Sequence, residues 1–234
     1  MTQFIPYPTY YTTPMSRFDF DKFVDRSNSC AMKYHALHDL FGRKDLTPFW
    51  IADMEFEVTP EISEALDTRF SHKVLGYESV PASFKESIIS WLGHRHNLSV
   101  SAEEIAFVPG IVRGIGYAIN YFTRPGDGIV IQPPVYHPFR LLTEGNGRVV
   151  INNPLVELPD GSYEMNLTEL EEIFATRGPK MMILCNPHNP AGLQWSADTL
   201  RTVASLAKQY GVMVVSDEIH GDLMLWNKPH IPFS

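Results

Sequence analysis

Residues 181–220 read M-M-I-L-C-N-P-H-N-P-A-G-L-Q-W-S-A-D-T-L-R-T-V-A-S-L-A-K-Q-Y-G-V-M-V-V-S-D-E-I-H. Two short apolar runs, Met181–Cys185 and Val212–Val215, have the length and content of buried strands. Each stops at a polar cluster, 186–189 in the first case and 216–220 in the second. Between them Leu200, Val203, Ala204, Leu206 and Ala207 recur at helical spacing, Ser196 stands where an N-cap is wanted, and Gly211 sits where a helix ends. The stretch predicts a strand–helix–strand unit with polar residues at the carboxyl ends of both strands. In open α/β sheets that edge is where ligands bind.

Outward from this unit, the same alternation continues. Strands are expected at 105–108, 128–131 and 148–151, and helices at 111–122, from Pro138 to Glu144, and from Asn166 (with Glu169 as a capping-box partner) to Arg177. Short strands separated by helices predict an α/β fold with a mostly parallel sheet covered on both faces. Upstream, Thr59 and Pro60 open a helix to about Phe70. Pro81 opens another to about His96, with Phe84, Ile88, Trp91 and Leu92 on one face. Residues 1–20 form an expected irregular tail, and the strip P-F-W-I-A-D-M-E-F at 48–56 fits a short extended piece with Asp53 at a turn. The expected division is 1–58, an N-terminal arm with part of a small domain, and 59–234, a large domain.

Composition excludes several classes. The 234 residues carry 27 Asp and Glu against 19 Lys and Arg, a net charge of −8 with no basic run, which argues against nucleic acid as the main partner. No apolar stretch approaches the roughly 18–20 residues of a membrane span. The first twenty residues lack the basic start and apolar stretch of a signal peptide, and two distant cysteines, Cys30 and Cys185, make no disulfide framework. A cytoplasmic location is the expectation.

Four clusters can carry chemistry. Asp217 follows four apolar residues, and a carboxylate at a buried strand tip needs donors or a cation. It reads either as the partner of a protonated ring nitrogen or as a helix cap or salt-bridge acid. Asn189 lies between prolines in N-P-H-N-P, which fix the direction of its amide. Tyr136, in P-P-V-Y-H-P, follows a strand end and reads as a ring stacker or a core aromatic. The Gly110–Gly116 stretch can offer free N–H groups to a phosphate, yet its G-x-x-x-G-x-G spacing is not a dinucleotide fingerprint and no Gly-Lys-Ser/Thr follows. His94 and His96 read as solvent residues, with poor spacing for a metal. Ser216, Asp217 and His220 supply triad residue types without a G-x-S-x-G elbow.

N-P-H-N-P-A-G followed by V-V-S-D-E-I-H resembles the fold-type-I pyridoxal-phosphate enzymes of the aminotransferase class I/II superfamily. W-I-A-D-M-E-F, V-L-G-Y-E-S and Q-P-P-V-Y-H-P-F narrow the resemblance to the MalY/PatB group of cystathionine β-lyases, or cysteine C–S lyases, from about Cys30 onward. The resemblance implies pyridoxal 5'-phosphate as cofactor. Asp217 would hold the pyridine nitrogen protonated, and Asn189, with His220 close by, would bind the phenolic oxygen. Tyr136 would stack on the ring, and Ile111, Val112 and Arg113 would hold the phosphate. Tyr77 would reach the phosphate in the neighbouring subunit of a homodimer, and Ala52 and Asp53 would lie along an amino-acid substrate. The activity implied is α,β-elimination of cystathionine or another cysteine S-conjugate. An aminotransferase of the same fold and a non-catalytic regulator or truncated paralogue are the alternatives.

One departure stands out. The group's cofactor-binding lysine is expected roughly three dozen residues past the aspartate, beyond Ser234, as is the arginine for the substrate carboxylate. Lys228, in the W-N-K-P-H loop, reads as a surface residue. The chain is therefore expected to be the first part of a longer enzyme.

Overall fold

The computed structural model describes residues 19–26 and 29–233. Most of the predicted N-terminal tail lies outside them. The chain forms two compact units, Met1–Glu78 and Ser79–Ser234.

In the first unit, helices α1 (Met32–His35) and α2 (Leu37–Phe41) precede an extended segment, and α3 (Pro60–Ser71) begins with proline in its first turn. The W-I-A-D-M-E-F strip is fastened by charge. Lys33 Nζ reaches Glu55 Oε1 at 2.7 Å and donates to the Asp53 carbonyl at 2.9 Å. Arg26 pairs with Asp53 at 2.5 Å and Glu55 at 3.3 Å, while the Tyr34 hydroxyl donates to Glu55 at 2.8 Å. Hydrogen bonds from Lys33 and Tyr34 hold Glu55 at a pKa of about 2.

The second unit carries α4 (Ala82–His96), α5 (Ile111–Phe122), β1 (Gly128–Ile131), α6 (Pro138–Gly145), β2 (Val149–Asn152), β3 (Val156–Glu157) and β4 (Tyr163–Glu164). After these come α7 (Leu167–Arg177), β5 (Met181–Cys185), α8 (Ala197–Tyr210) and β6 (Met213–Asp217). The main sheet has the order β2-β1-β5-β6, all parallel. Side chains alternate across it. Ile129, Ile131, Met181, Ile183 and Cys185 pack under α5 and α6 with Ile115, Ile119 and Phe139. Val130, Ile151, Met182 and Leu184 face the other way, against Leu170, Phe174, Leu200 and Val203 of α7 and α8. Each large side chain so buried contributes about 1.5–3 kcal/mol, which is why β5, buried along its whole length, is the centre of the unit.

Local signals set the helix ends. Asn166 accepts from Glu169 N, Ser196 accepts from Thr199 N, and Gly211 closes α8 in the left-handed conformation (φ 66°). Buried Arg148 caps α5, donating to the Thr123 carbonyl and hydroxyl at 2.7 and 2.9 Å and to Asn120 and Asn146. A guanidinium is favoured there by the helix dipole.

Three expectations are corrected. Residues 105–108 form no strand: they are extended, Phe107 is 76% exposed, and no strand among the described residues pairs with them. An apolar run becomes a strand only where a neighbour completes its ladder. Residues 156–164, where the sequence predicts no element, contain the small antiparallel β3–β4 ribbon. The last sheet strand starts one residue later than expected, because Val212 N closes α8 onto Ala207 O, and it runs on through Asp217. No described helix is long and apolar enough to cross a membrane.

Candidate active site

Strands β1, β5 and β6 end side by side, and hydrogen bonds tie together the loops that leave them. Asn186 N donates to Asp217 O at 3.0 Å, and Tyr136 N donates to Asn189 O at 2.9 Å. The loops carrying Tyr136, Asn189 and Asp217 are thereby brought to one carboxyl edge. Helix α5 contributes its start to the same side. Its C-terminal turn is gripped by Arg148, just before β2 at the amino edge, so over a helix of about 18 Å its first turn points toward the carboxyl edge.

Asp217 closes β6, opposite Cys185 of β5, and is 6% exposed. Its carboxylate accepts from Ile219 N at 3.2 Å, and no basic side chain among the described residues forms an ion pair with it. Burial pushes its pKa up. Among the described residues it forms no salt bridge, and the N–H it accepts comes from two residues on, a local turn bond. Burial also drives the neighbouring Cys185 thiol up to about 11.

The two asparagines of N-P-H-N-P differ in what their amides do. Asn186 is fully buried, donating to Ile231 O at 2.8 Å and accepting from Trp195 N at 3.4 Å. Asn189 is half-buried, its N–H donates to Cys185 Sγ at 3.3 Å, and no side-chain hydrogen bond of its own occurs among the described residues. Tyr136 is half-buried and meets Phe139 edge-on, with centroids 5.7 Å apart, so the tyrosine sits on a ring that is itself fully buried. His220 is half-buried just after the Asp217 turn.

Gly110, at φ 105°, precedes α5 with no side-chain cap, and a Cβ there would meet nothing within 4 Å. The N–H groups of Ile111, Val112 and Arg113 have no intrahelical partner, and all three residues are exposed. Arg113 donates back to Pro109 O at 3.2 Å. Ala52, Asp53 and Tyr77 belong to the first unit. Ala52 and Tyr77 are exposed, and the Asp53 carboxylate is held by Arg26. Lys228 is exposed, as expected.

Some residues escape the sequence reading. His188 is fully buried, lies edge-on to Trp195, and is pushed by burial to a pKa of about 4. His96 is not a solvent residue: its ring Nε2 meets Asp222 at 2.7 Å and its side chain is only 8% exposed, whereas His94 is exposed. No local signal announces a partner 126 residues away.

Comparison with known proteins bears on the fold and the family. The chain is 42% identical over 216 residues to cystathionine beta-lyase PatB of Bacillus subtilis, spanning 92% of this chain and 56% of that protein. Against the protein MalY of Escherichia coli it is 36% identical over 218 residues, with 93% and 56% covered. The chain thus spans about half the length of these curated relatives. The PLP-bound C-S lyase of Staphylococcus hominis superposes with a TM-score of 0.86 at 32% identity, covering 92% of this chain and 55% of that one. Cystalysin of Treponema denticola, which contains pyridoxal 5'-phosphate, gives 0.87 at 31%, with 92% and 55% covered. The fold is that of the fold-type-I PLP-dependent enzymes. A family profile matches residues 45–232, and the chain belongs to the aminotransferase class I and II family.

Proposed function

We propose that these residues form the cofactor-binding part of a PLP-dependent C–S lyase that cleaves cystathionine or another cysteine S-conjugate. The observation that carries the reading is Asp217: a buried carboxylate with no ion pair among the described residues is costly, and a protonated ring nitrogen is the cation that would complete it. The Asn189 amide makes no side-chain hydrogen bond among the described residues, Tyr136 has a half-buried ring and α5 a set of free N–H groups, which supports a site for a phosphorylated pyridine. When bound, pyridoxal phosphate supplies an electron sink for the substrate's Cα–H bond.

The chain's own residues then divide the work. Asp217 keeps the ring nitrogen protonated. The Asn189 amide donates to the phenolic oxygen, with His220 beside it, and Tyr136 covers one ring face. Ile111, Val112 and Arg113 receive the phosphate through backbone N–H groups. Ala52 and Asp53 would border the substrate, Asp53 as a positioning residue because Arg26 already holds its carboxylate. Tyr77 would reach the phosphate of the neighbouring subunit in a homodimer. The lysine that carries the cofactor is proposed to come from the half that the longer relatives have in addition.

The net reaction takes a thioether and water to a thiol, pyruvate and ammonium. The test is incubation of the full-length protein, loaded with PLP, with cystathionine. Pyruvate formed without added keto acid, together with a lysine trapped by borohydride, is the expected result. Strict dependence on a keto acid would make it an aminotransferase instead. Failure to bind PLP would leave only the non-catalytic reading.

A further inference from the structure

The turn after β6 carries polar groups that the cofactor reading does not use. Successive strand residues point to opposite faces, so Ser216 turns away from Asp217, and Glu218, just past the strand, meets Ser216. The Glu218 Oε1 atom accepts from Ser216 Oγ at 2.7 Å and from Phe233 N at 2.9 Å. Its other oxygen meets His230 Nε2 at 2.9 Å. The opposite ring nitrogen, Nδ1, meets Gln194 Oε1 at 3.0 Å.

The orientation of the Gln194 amide is fixed from two sides. Its oxygen accepts from Ile231 N at 2.9 Å, and its nitrogen donates to Pro229 O at 3.1 Å. His230 therefore lies between two acceptors, and an imidazole satisfies both only when each nitrogen carries a proton. The ring is confined: its side chain is 2% exposed, and a Cβ on Gly221 would stand 2.9 Å from its Cδ2. From α4, His96 meets it edge-on at 5.4 Å and pairs in turn with Asp222. Burial pushes Glu218 up, but His230, the Phe233 N–H and the Ser216 hydroxyl together outweigh it and hold the acid below its ordinary pKa.

We propose that His230 is a positioning residue for Asp217. As an imidazolium bridging Gln194 and Glu218, it fastens residues 229–233 across the turn that presents the Asp217 carboxylate. The inference rests on the cofactor role of Asp217. Residues on both sides of that acid, Ser216 and Glu218, are tied to this network, and Asn186, whose N–H holds the Asp217 carbonyl, is tied through Ile231 O. Removing the ring takes both donations away, so PLP affinity should fall with it.

The experiment uses the full chain. Ring 15N resonances of His230 should show two protonated nitrogens, and PLP affinity should be measured by equilibrium dialysis. His230→Leu should weaken binding about tenfold, a loss of ~1.4 kcal/mol. Glu218→Gln is the conservative rescue. Its amide oxygen still accepts from Ser216 and Phe233, while its amide nitrogen donates to a singly protonated His230. Affinity should stay near the unaltered value. A single ring N–H in the unaltered protein would overturn the proposal. So would a His230→Leu protein with a lower Tm but unchanged affinity. If the unaltered protein binds no PLP at any pH, the functional reading fails and the inference with it, and that control separates the two failures.

Discussion

Two acidic regions of this chain are built on opposite plans. In the first unit, Asp53 and Glu55 are each matched by the chain's own cations, Arg26 and Lys33, and Glu55 is held at a pKa of about 2 although solvent reaches it. At the carboxyl edge of the sheet, Asp217 is buried and forms no ion pair among the described residues, and its pKa moves the other way. The first arrangement is complete without a ligand. On the function proposed, the second is completed by a protonated ring nitrogen. A charge left unmatched in a low-dielectric position marks a binding site more sharply than a short sequence motif does.

The largest effect should come from removing that acid. Asp217→Ala in the full-length protein is expected to weaken PLP binding by about 10²–10³-fold, the range for losing one partner of a buried pair, with circular dichroism unchanged and pyruvate production lost. Retained turnover would put the contrast between the two acids on the wrong footing.

Next come the two asparagines. Asn186→Ala removes buried hydrogen bonds to Ile231 and Trp195 and should cost about 1–3 kcal/mol of stability, read from denaturant unfolding. Asn189→Ala should leave stability unchanged and weaken PLP binding about tenfold, equivalent to one charge-assisted hydrogen bond. Equal losses of stability in both would erase the distinction between a structural and a ligand-facing amide.

A smaller effect has the opposite sign. Because the folded-state pKa of Asp217 is raised, the folded form binds a proton more tightly than the unfolded form does. Stability without cofactor should therefore fall as pH rises from the ordinary aspartate range through the raised value. Asp217→Asn keeps an acceptor for Ile219 N and should raise cofactor-free stability at neutral pH by about 1 kcal/mol, measured by thermal melts. A destabilised Asn variant would mean that the carboxylate is already satisfied.

The smallest effect belongs to the first unit. Glu55 has a lowered pKa, so its contribution is present above the ordinary glutamate range and is lost as pH falls toward about 2. Glu55→Gln should shift the acid-unfolding midpoint slightly upward in pH and leave PLP binding unaltered.

Much of this is legible in the residues. The strands β1 and β5 can be read to the residue because an unbroken apolar run bounded by polar residues is what a strand buried on both faces requires. Caps at Asn166, Ser196 and Gly211 are local chemistry and are equally visible. The run at 105–108 misleads because apolarity says nothing about whether a neighbouring strand exists. The gathering of Tyr136, Asn189 and Asp217 follows from strand ends alone. Which amide is engaged and which acid is unmatched does not, since Ile231, Trp195 and Arg26 act across loops. His96 and His230 are invisible for the same reason: each finds its carboxylate through the fold rather than through the sequence around it.

The raised thiol of Cys185 has a practical side. Only a thiolate attacks an alkylating reagent, and at pH 8 a group with a pKa near 11 offers about one thiolate in a thousand. Cys185 is also shut inside the sheet, whereas Cys30 is exposed. Of these two cysteines, a maleimide dye should therefore mark Cys30, in the first unit. That handle would let fluorescence follow the first unit during PLP titration while the sulfur packed behind Asp217 stays untouched.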